Sequence, residues 1–105
     1  MSLVDNLLNH PDPLDFYSVT KDKYGDNTRT LVYSNVRCRW NEKKTVVVSR
    51  SGEELVSTII VWILPEYTIE EDYEIIKNNK LYKIASVSDK YDIFGVKDHV
   101  KIYLK

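Results

Sequence analysis

Two histidines, one cysteine and a cluster of carboxylates are the residues of this chain whose types suit acid–base, nucleophilic or metal chemistry. His99 follows Asp98, a pair in which a carboxylate orients an imidazole base. Both lie in a strand-like segment, where neighbouring side chains point to opposite faces, so the expectation is two unrelated groups. His10 sits among prolines near the N-terminus. Cys38 alternates with Val36 and Trp40 on an apolar strand face, which predicts a buried structural thiol and no nucleophile. Asp22, Asp26 and Asn27 surround Gly25 in a weak likeness of a calcium loop. The spacing misses the EF-hand pattern and no bidentate Glu follows, so an Asp/Asn turn is expected. Glu70, Glu71, Asp72 and Glu74 could hold a hard cation, yet carboxylates on a loop are normally solvated. Gly25, Gly52 and Gly95 stand alone, which excludes a phosphate-cradling loop or a dinucleotide fingerprint. The sequence therefore predicts no catalytic residues, no metal, no cofactor and no enzyme.

Charge is informative in its placement, since the total is close to neutral. Fifteen Lys and Arg face sixteen Asp and Glu, a net charge of −1, unlike a basic nucleic-acid binder or an acidic tail. Locally the balance breaks twice. Arg37, Arg39, Lys43, Lys44 and Arg50 stand against Glu42 alone, whereas Glu66, Glu70, Glu71, Asp72 and Glu74 have no base among them. Such blocks are either two solvated loops or a complementary pair. In the second case the basic loop of one copy meets the acidic loop of the next, a contact that closes into rings. Eight tyrosines, among them Tyr67, Tyr73, Tyr91 and Tyr103, add side chains of the kind favoured at interfaces.

The elements that must position these groups read as β. With 105 residues there is room for one domain, spanning 1–105, and for a thin core. The segment 1–13 predicts a short N-terminal helix or arm, with Leu3, Leu7 and Leu8 on one face until Pro11 and Pro13 stop it. The first residues lack the basic and apolar regions of a secretory signal, and no 18-residue apolar run exists, so no membrane segment is expected. From Leu14 onward strands follow one another. They are Leu14–Val19, a continuous Arg29–Trp40, a short one at Lys44–Ser49, Glu54–Leu64, Tyr73–Ile76, Leu81–Ser88 and Lys97–Leu104. Turn signals fall at Tyr24–Asn27, Arg50–Glu53, Lys77–Lys80 and Asp89–Gly95. The run Ile59–Leu64 is apolar on both faces, so it is either covered twice or awaits another chain. The fold class is all-β: a small antiparallel β-barrel of about six or seven strands over 14–105, with a long inter-strand loop.

From Val32 to Leu104 the chain resembles the small head–tail connector proteins of tailed phages and prophages, known as head-closure, stopper, head–tail joining or minor capsid proteins. The likeness rests on Gly52-Glu53-Glu54 opening a long strand, Glu71-Asp72 before a hairpin, and the aromatic-bearing Leu81–Val87. A Gly95 turn and the closing His99-Val100-Lys101-Ile102 strand complete it. The family usually has Gly-Asp where this chain has Glu71-Asp72. The resemblance implies a virion structural protein that assembles in the host cytoplasm into a ring, dodecameric in the family. Its implied partners are copies of itself, portal and adaptor ring proteins, tail proteins and the packaged double-stranded DNA. The family's channel loop corresponds to Asn41–Gly52, which would bring Lys43, Lys44 and Arg50 to the DNA, with Arg37 and Arg39 nearby.

A reading from another class stays open on sequence alone. A monomeric OB- or SH3-like module would bind single-stranded nucleic acid if Trp40, Tyr33 and Arg39 formed an exposed stacking platform. The form of the segment 41–52 and the exposure of Trp40 discriminate between the two.

Overall fold

The computed structural model describes residues 12–105. The predicted N-terminal helix or arm over 1–13 lies, up to residue 11, outside the described residues. Seven strands follow: β1 (Leu14–Lys21), β2 (Asn27–Val36), β3 (Arg39–Val48), β4 (Glu54–Ile63), β5 (Glu74–Lys77), β6 (Lys80–Tyr91) and β7 (Lys97–Leu104). They form one sheet in the order β2-β1-β5-β6-β7-β4-β3, with every neighbouring pair antiparallel. Among the described residues there is no helix.

The sheet bends back on itself through β6. Its first residues, Lys80–Lys83, pair with β5, and from Ile84 onward it pairs with β7. A register shift between Ile84 and Ser86 marks the corner, where a bulge increases local twist. The two halves then enclose one core, built from Leu14 and Phe16 of β1, Val36 of β2, Ile59, Val61 and Ile63 of β4, Ile75 of β5, and Val100, Ile102 and Leu104 of β7. Alternation is clean in the last strand, where Val100, Ile102 and Leu104 are fully buried.

The sheet is not closed into a barrel, contrary to the sequence expectation: β2 and β3 remain its two edges. The reason is local. The expected continuous strand Arg29–Trp40 breaks after Val36, and the chain restarts as β3 at Arg39. Asn35 adopts φ 55°, the left-handed region that Asn tolerates better than most residues, and its N–H donates to Asp15 Oδ1 at 3.0 Å. This irregularity turns Tyr33 inward opposite Phe16 and leaves Val32 at the surface, breaking the period of two read from sequence. The connection from Leu64 to Tyr73 fills part of the remaining space. Its Ile69 is buried in the core, and Tyr67 packs edge-on against Tyr33 with ring centroids 5.0 Å apart.

The expected long loop over 41–52 does not exist either. Residues 39–48 pair with β4 almost throughout, leaving only the tip Ser49–Glu53 as a turn. Three hairpin tips share one construction. Gly25, Gly52 and Gly95 each take a positive φ of 79–86° and donate to the carbonyl of the residue three before. At two tips that residue is an aspartate: Asp22 Oδ1 accepts from the N–H groups of Tyr24 and Asp26, and Asp92 Oδ1 from those of Phe94 and Val96. The calcium-like cluster is thus an Asp-based turn. In the β5–β6 hairpin Asn78 and Asn79 both have positive φ, as a two-residue type I′ turn requires.

Cys38, in the link between β2 and β3, is fully buried, as its alternation with Val36 implied. Burial pushes its thiol up to about 11 from an ordinary 9.0; the nearby Lys77 partly offsets this and Asp12 adds to it. The folded protein therefore keeps its proton through a range in which the unfolded chain loses it. Stability contributed by this group is intact below about pH 9 and falls as the pH rises toward about 11. The expected result is a decline in urea midpoint beginning near pH 9, which Cys38→Ala flattens. At neutral pH the native thiol should resist alkylation until the protein unfolds. Rapid native labelling would contradict the buried placement.

Candidate functional site

The two charge blocks do not behave as two free loops. Arg50, at the tip of the β3–β4 hairpin, folds down onto the acidic connection of its own chain. Its Nη1 donates to Glu70 Oε2 at 3.0 Å, and its backbone N–H lies 3.2 Å from both Glu71 carboxylate oxygens. Glu74, the first residue of β5, is buried and takes an ion pair from Nε of Arg29, which reaches across β1 from the edge strand β2. Three of the five acidic candidates are thus engaged within the chain, and Glu66 and Asp72 remain exposed.

The basic candidates are dispersed. Lys43 and Lys44 are exposed at the register shift of β3 between Glu42 and Thr45. Arg37 is exposed in the β2–β3 link and is itself engaged in an interaction. Arg39 opens β3 and sets its guanidinium over the ring of Trp62, 5.2 Å from the centroid. From the other side Lys101 of β7 approaches the same ring at 5.6 Å and the Tyr103 ring at 5.3 Å. A cation held over an indole at a partly exposed site gains on the order of 0.5–1 kcal/mol, enough to bias an otherwise mobile side chain.

This arrangement answers what covers the two-faced apolar run in β4. Ile59, Val61 and Ile63 enter the core, Ile60 is buried on the outer face, and Trp62 is half-covered by the two cations. The importance of Trp62 with Lys101 was not recognised from sequence.

The stacking platform postulated for single-stranded nucleic acid does not form. Trp40 lies edge-on to Tyr82 at 5.1 Å, and Lys77 Nζ sits over its ring at 3.9 Å. Tyr33 is half-buried against Phe16 and Tyr67, and its hydroxyl accepts from the Thr68 N–H. Neither ring offers a free face beside Arg39.

Sequence alternation also misjudged Asp98 and His99. The register shift between Lys90 and Tyr91 makes Asp98 a bulge residue, and its Oδ2 lies 2.8 Å from His99 Nδ1. The pair is genuine, but Cys38, the protein's one thiol, is buried in the core on the opposite side of the sheet. Among the described residues no group of three His, Cys, Asp or Glu side chains comes together to hold a metal.

Tyr67 and Tyr73 both pack against the core, and burial raises both hydroxyls above the ordinary tyrosine value of 10.0. For Tyr67 the adjacent Glu66 adds to the effect, and for Tyr73 the neighbouring Tyr33, Glu70 and Asp72 do. Among the four, Tyr103 lies partly buried on the outer face of β7 and Tyr91 is exposed, beside the exposed tip residues Ile93, Phe94 and Val96.

The chain matches no family model, and no curated protein matches it in sequence. Its fold does match a solved structure. It superposes on the phage-like element PBSX protein xkdH from Bacillus subtilis with a TM-score of 0.56 and 13% sequence identity, over 89% of this chain and 90% of that one. At that identity the likeness is one of fold, and it covers almost the whole length of both chains.

Proposed function

We propose that this chain is a structural component of a tailed-phage or prophage particle, built into the head–tail connector as a ring of identical copies. The observation that carries the reading is the near full-length fold likeness to a protein of a phage-like element, joined to the connector-like motifs between Val32 and Leu104. In this reading the ring sits against portal or adaptor proteins on one side and tail proteins on the other. It helps retain the packaged double-stranded DNA and performs no catalysis.

The intrachain pairs narrow the surfaces available for ring contacts. Arg50, Glu70, Glu71 and Glu74 are spent in stabilising the protomer, so the head-to-tail charge complement reduces to Lys43 and Lys44 against Glu66 and Asp72. Four exposed charges of this kind contribute little affinity each but fix register and orientation.

The test is genetic and biochemical. Particles from the producing phage or prophage should contain this protein in multiple copies by quantitative mass spectrometry. Deleting its gene should yield DNA-poor heads and free tails in electron micrographs. Restoring it with Lys43→Glu and Lys44→Glu should leave the monomer folded but reduce joined particles by about tenfold or more, as expected when like charges replace complementary ones at a repeated contact. Normal, DNA-filled, tailed particles from the deletion strain would overturn the proposal.

A further inference from the structure

The outer face of β3, β4, β7 and the distal half of β6 carries a charge pattern that the near-neutral total conceals. Cross-strand pairing aligns Arg39, Trp62, Lys101 and Ser88 in one row, and Asn41, Ile60, Tyr103 and Ser86 in the next on the same face. In that second row Ile60 and Ser86 are buried and the Ser86 hydroxyl donates to the Val48 carbonyl, so the open part of the face is the Arg39–Ser88 row and the row on its other side. Neither row contains a carboxylate. In the row on the other side of Arg39–Ser88, Lys90 stands opposite His99, and Asp98 beside it is tied to the imidazole at 2.8 Å. Arg39 and Lys101 thus flank a single indole, and Lys90, two strands away and one row on, extends the cationic face, with strands about 4.8 Å apart setting the spacing.

We infer that this face docks the phosphate backbone of duplex DNA. Three features favour that occupant. Protein-docking surfaces are depleted of lysine, whereas two of the three cations here are lysines and Trp62 is the one large aromatic between Arg39 and Lys101. Nucleic-acid interfaces are more polar and more positive than protein-docking ones. Next, both flanks of Trp62 are taken by Arg39 and Lys101, so a base has no open ring to stack on and the contact is to the backbone. Finally, Arg39 and Lys101 are held by aromatic rings and not by carboxylates, which leaves their N–H groups able to donate to phosphate oxygens. The face shares Arg39 with the basic block that the family resemblance brings to the DNA, and adds to it Lys101 of β7 and Lys90 of β6. The inference deepens the connector reading by adding a DNA-facing surface. It is tested on the isolated chain, so failure here leaves the particle experiment undisturbed.

The test is fluorescence anisotropy with a labelled duplex of arbitrary sequence, titrated with the full chain across a range of salt. Three phosphate contacts predict weak, sequence-independent binding that falls roughly 40-fold between about 50 and about 200 mM salt. Arg39→Ser with Lys90→Ser and Lys101→Ser should abolish most of this binding. A control of equal charge change, Lys21→Ser with Lys23→Ser and Lys80→Ser, should retain it within about threefold, since counterion release follows contacts and not net charge. If the first triple variant loses its fold, Lys90→Ser alone replaces it, and the log–log salt slope should drop by about 0.9. Three results would overturn the inference. They are no binding at low ionic strength, equal losses in the two triple variants, or binding of polyglutamate as tight as that of DNA. The last would assign the face to an acidic protein partner.

Discussion

Phe16→Ala is expected to remove about 3–5 kcal/mol of folding stability, the range for truncating a fully buried phenylalanine. Phe16, the third residue of β1, is fully buried, and its strand partners are Tyr33 on β2 and Ile75 on β5. Its ring meets Tyr33 edge-on at 6.3 Å, and Tyr33 in turn meets Tyr67, so one side chain supports the edge strand and the β4–β5 connection together. A single-domain protein of this length has roughly 5–15 kcal/mol in total. The variant should therefore show a much lower urea midpoint with an unchanged slope, and partial unfolding at physiological temperature if the total lies at the low end. Phe16→Leu, which keeps most of the volume, should cost about 1–2 kcal/mol. A Phe16→Ala cost below about 1 kcal/mol would mean that β1 and β2 are not packed as described.

What was legible in the sequence follows from which interactions are local. Alternation in Val100–Leu104 is set by a single boundary between core and solvent, and it reads correctly residue by residue. The turn at Asn78-Asn79 is equally local, because two adjacent asparagines tolerate the positive φ that a two-residue hairpin requires. Misreadings arose where one residue changes the register for everything after it. Asn35 in the left-handed region and the break at Arg37–Cys38 split one predicted strand into two and left the sheet open between β2 and β3. The bulge at Asp98 likewise brought together two side chains that strict alternation separates.

The candidate site was less legible because charge in a sequence carries no partner. Arg50 and Glu70 are far apart along the chain, and only the length of the β3–β4 hairpin brings the tip back to the acidic connection. The same holds for Trp62. In sequence it belongs to an apolar run, and its flanking cations come from strands on either side, one before it and one well after it. The practical consequence is a protomer that neutralises much of its acidic segment internally while leaving one sheet face basic. An overall charge of −1 is thus compatible with a surface that attracts phosphate.

Arg29→Ala should reveal how strongly the acidic segment depends on its internal partner. Glu74 is buried, with its carboxylate only 10% exposed, while the Arg29 side chain remains 42% exposed. The pair therefore lies between a surface bridge, worth at most about 1 kcal/mol, and a fully buried one, whose loss of one partner costs about 3–5 kcal/mol. A cost of about 1–3 kcal/mol is expected for Arg29→Ala, because it leaves the Glu74 charge without its guanidinium in a site with little water. Glu74→Gln alone should cost less, since the amide keeps the volume and Arg29 can still be hydrated. In the double variant the penalty should fall below the sum of the two singles, by about 1 kcal/mol or more in a urea-denaturation cycle. The position of Arg29 gives the result a structural reading as well. Only β1 lies between β2 and β5, and this side chain crosses it, so Arg29→Ala should speed hydrogen exchange in β2 ahead of β7. Additive costs with unchanged exchange in β2 would show that the bridge does not tie the sheet edge to its interior.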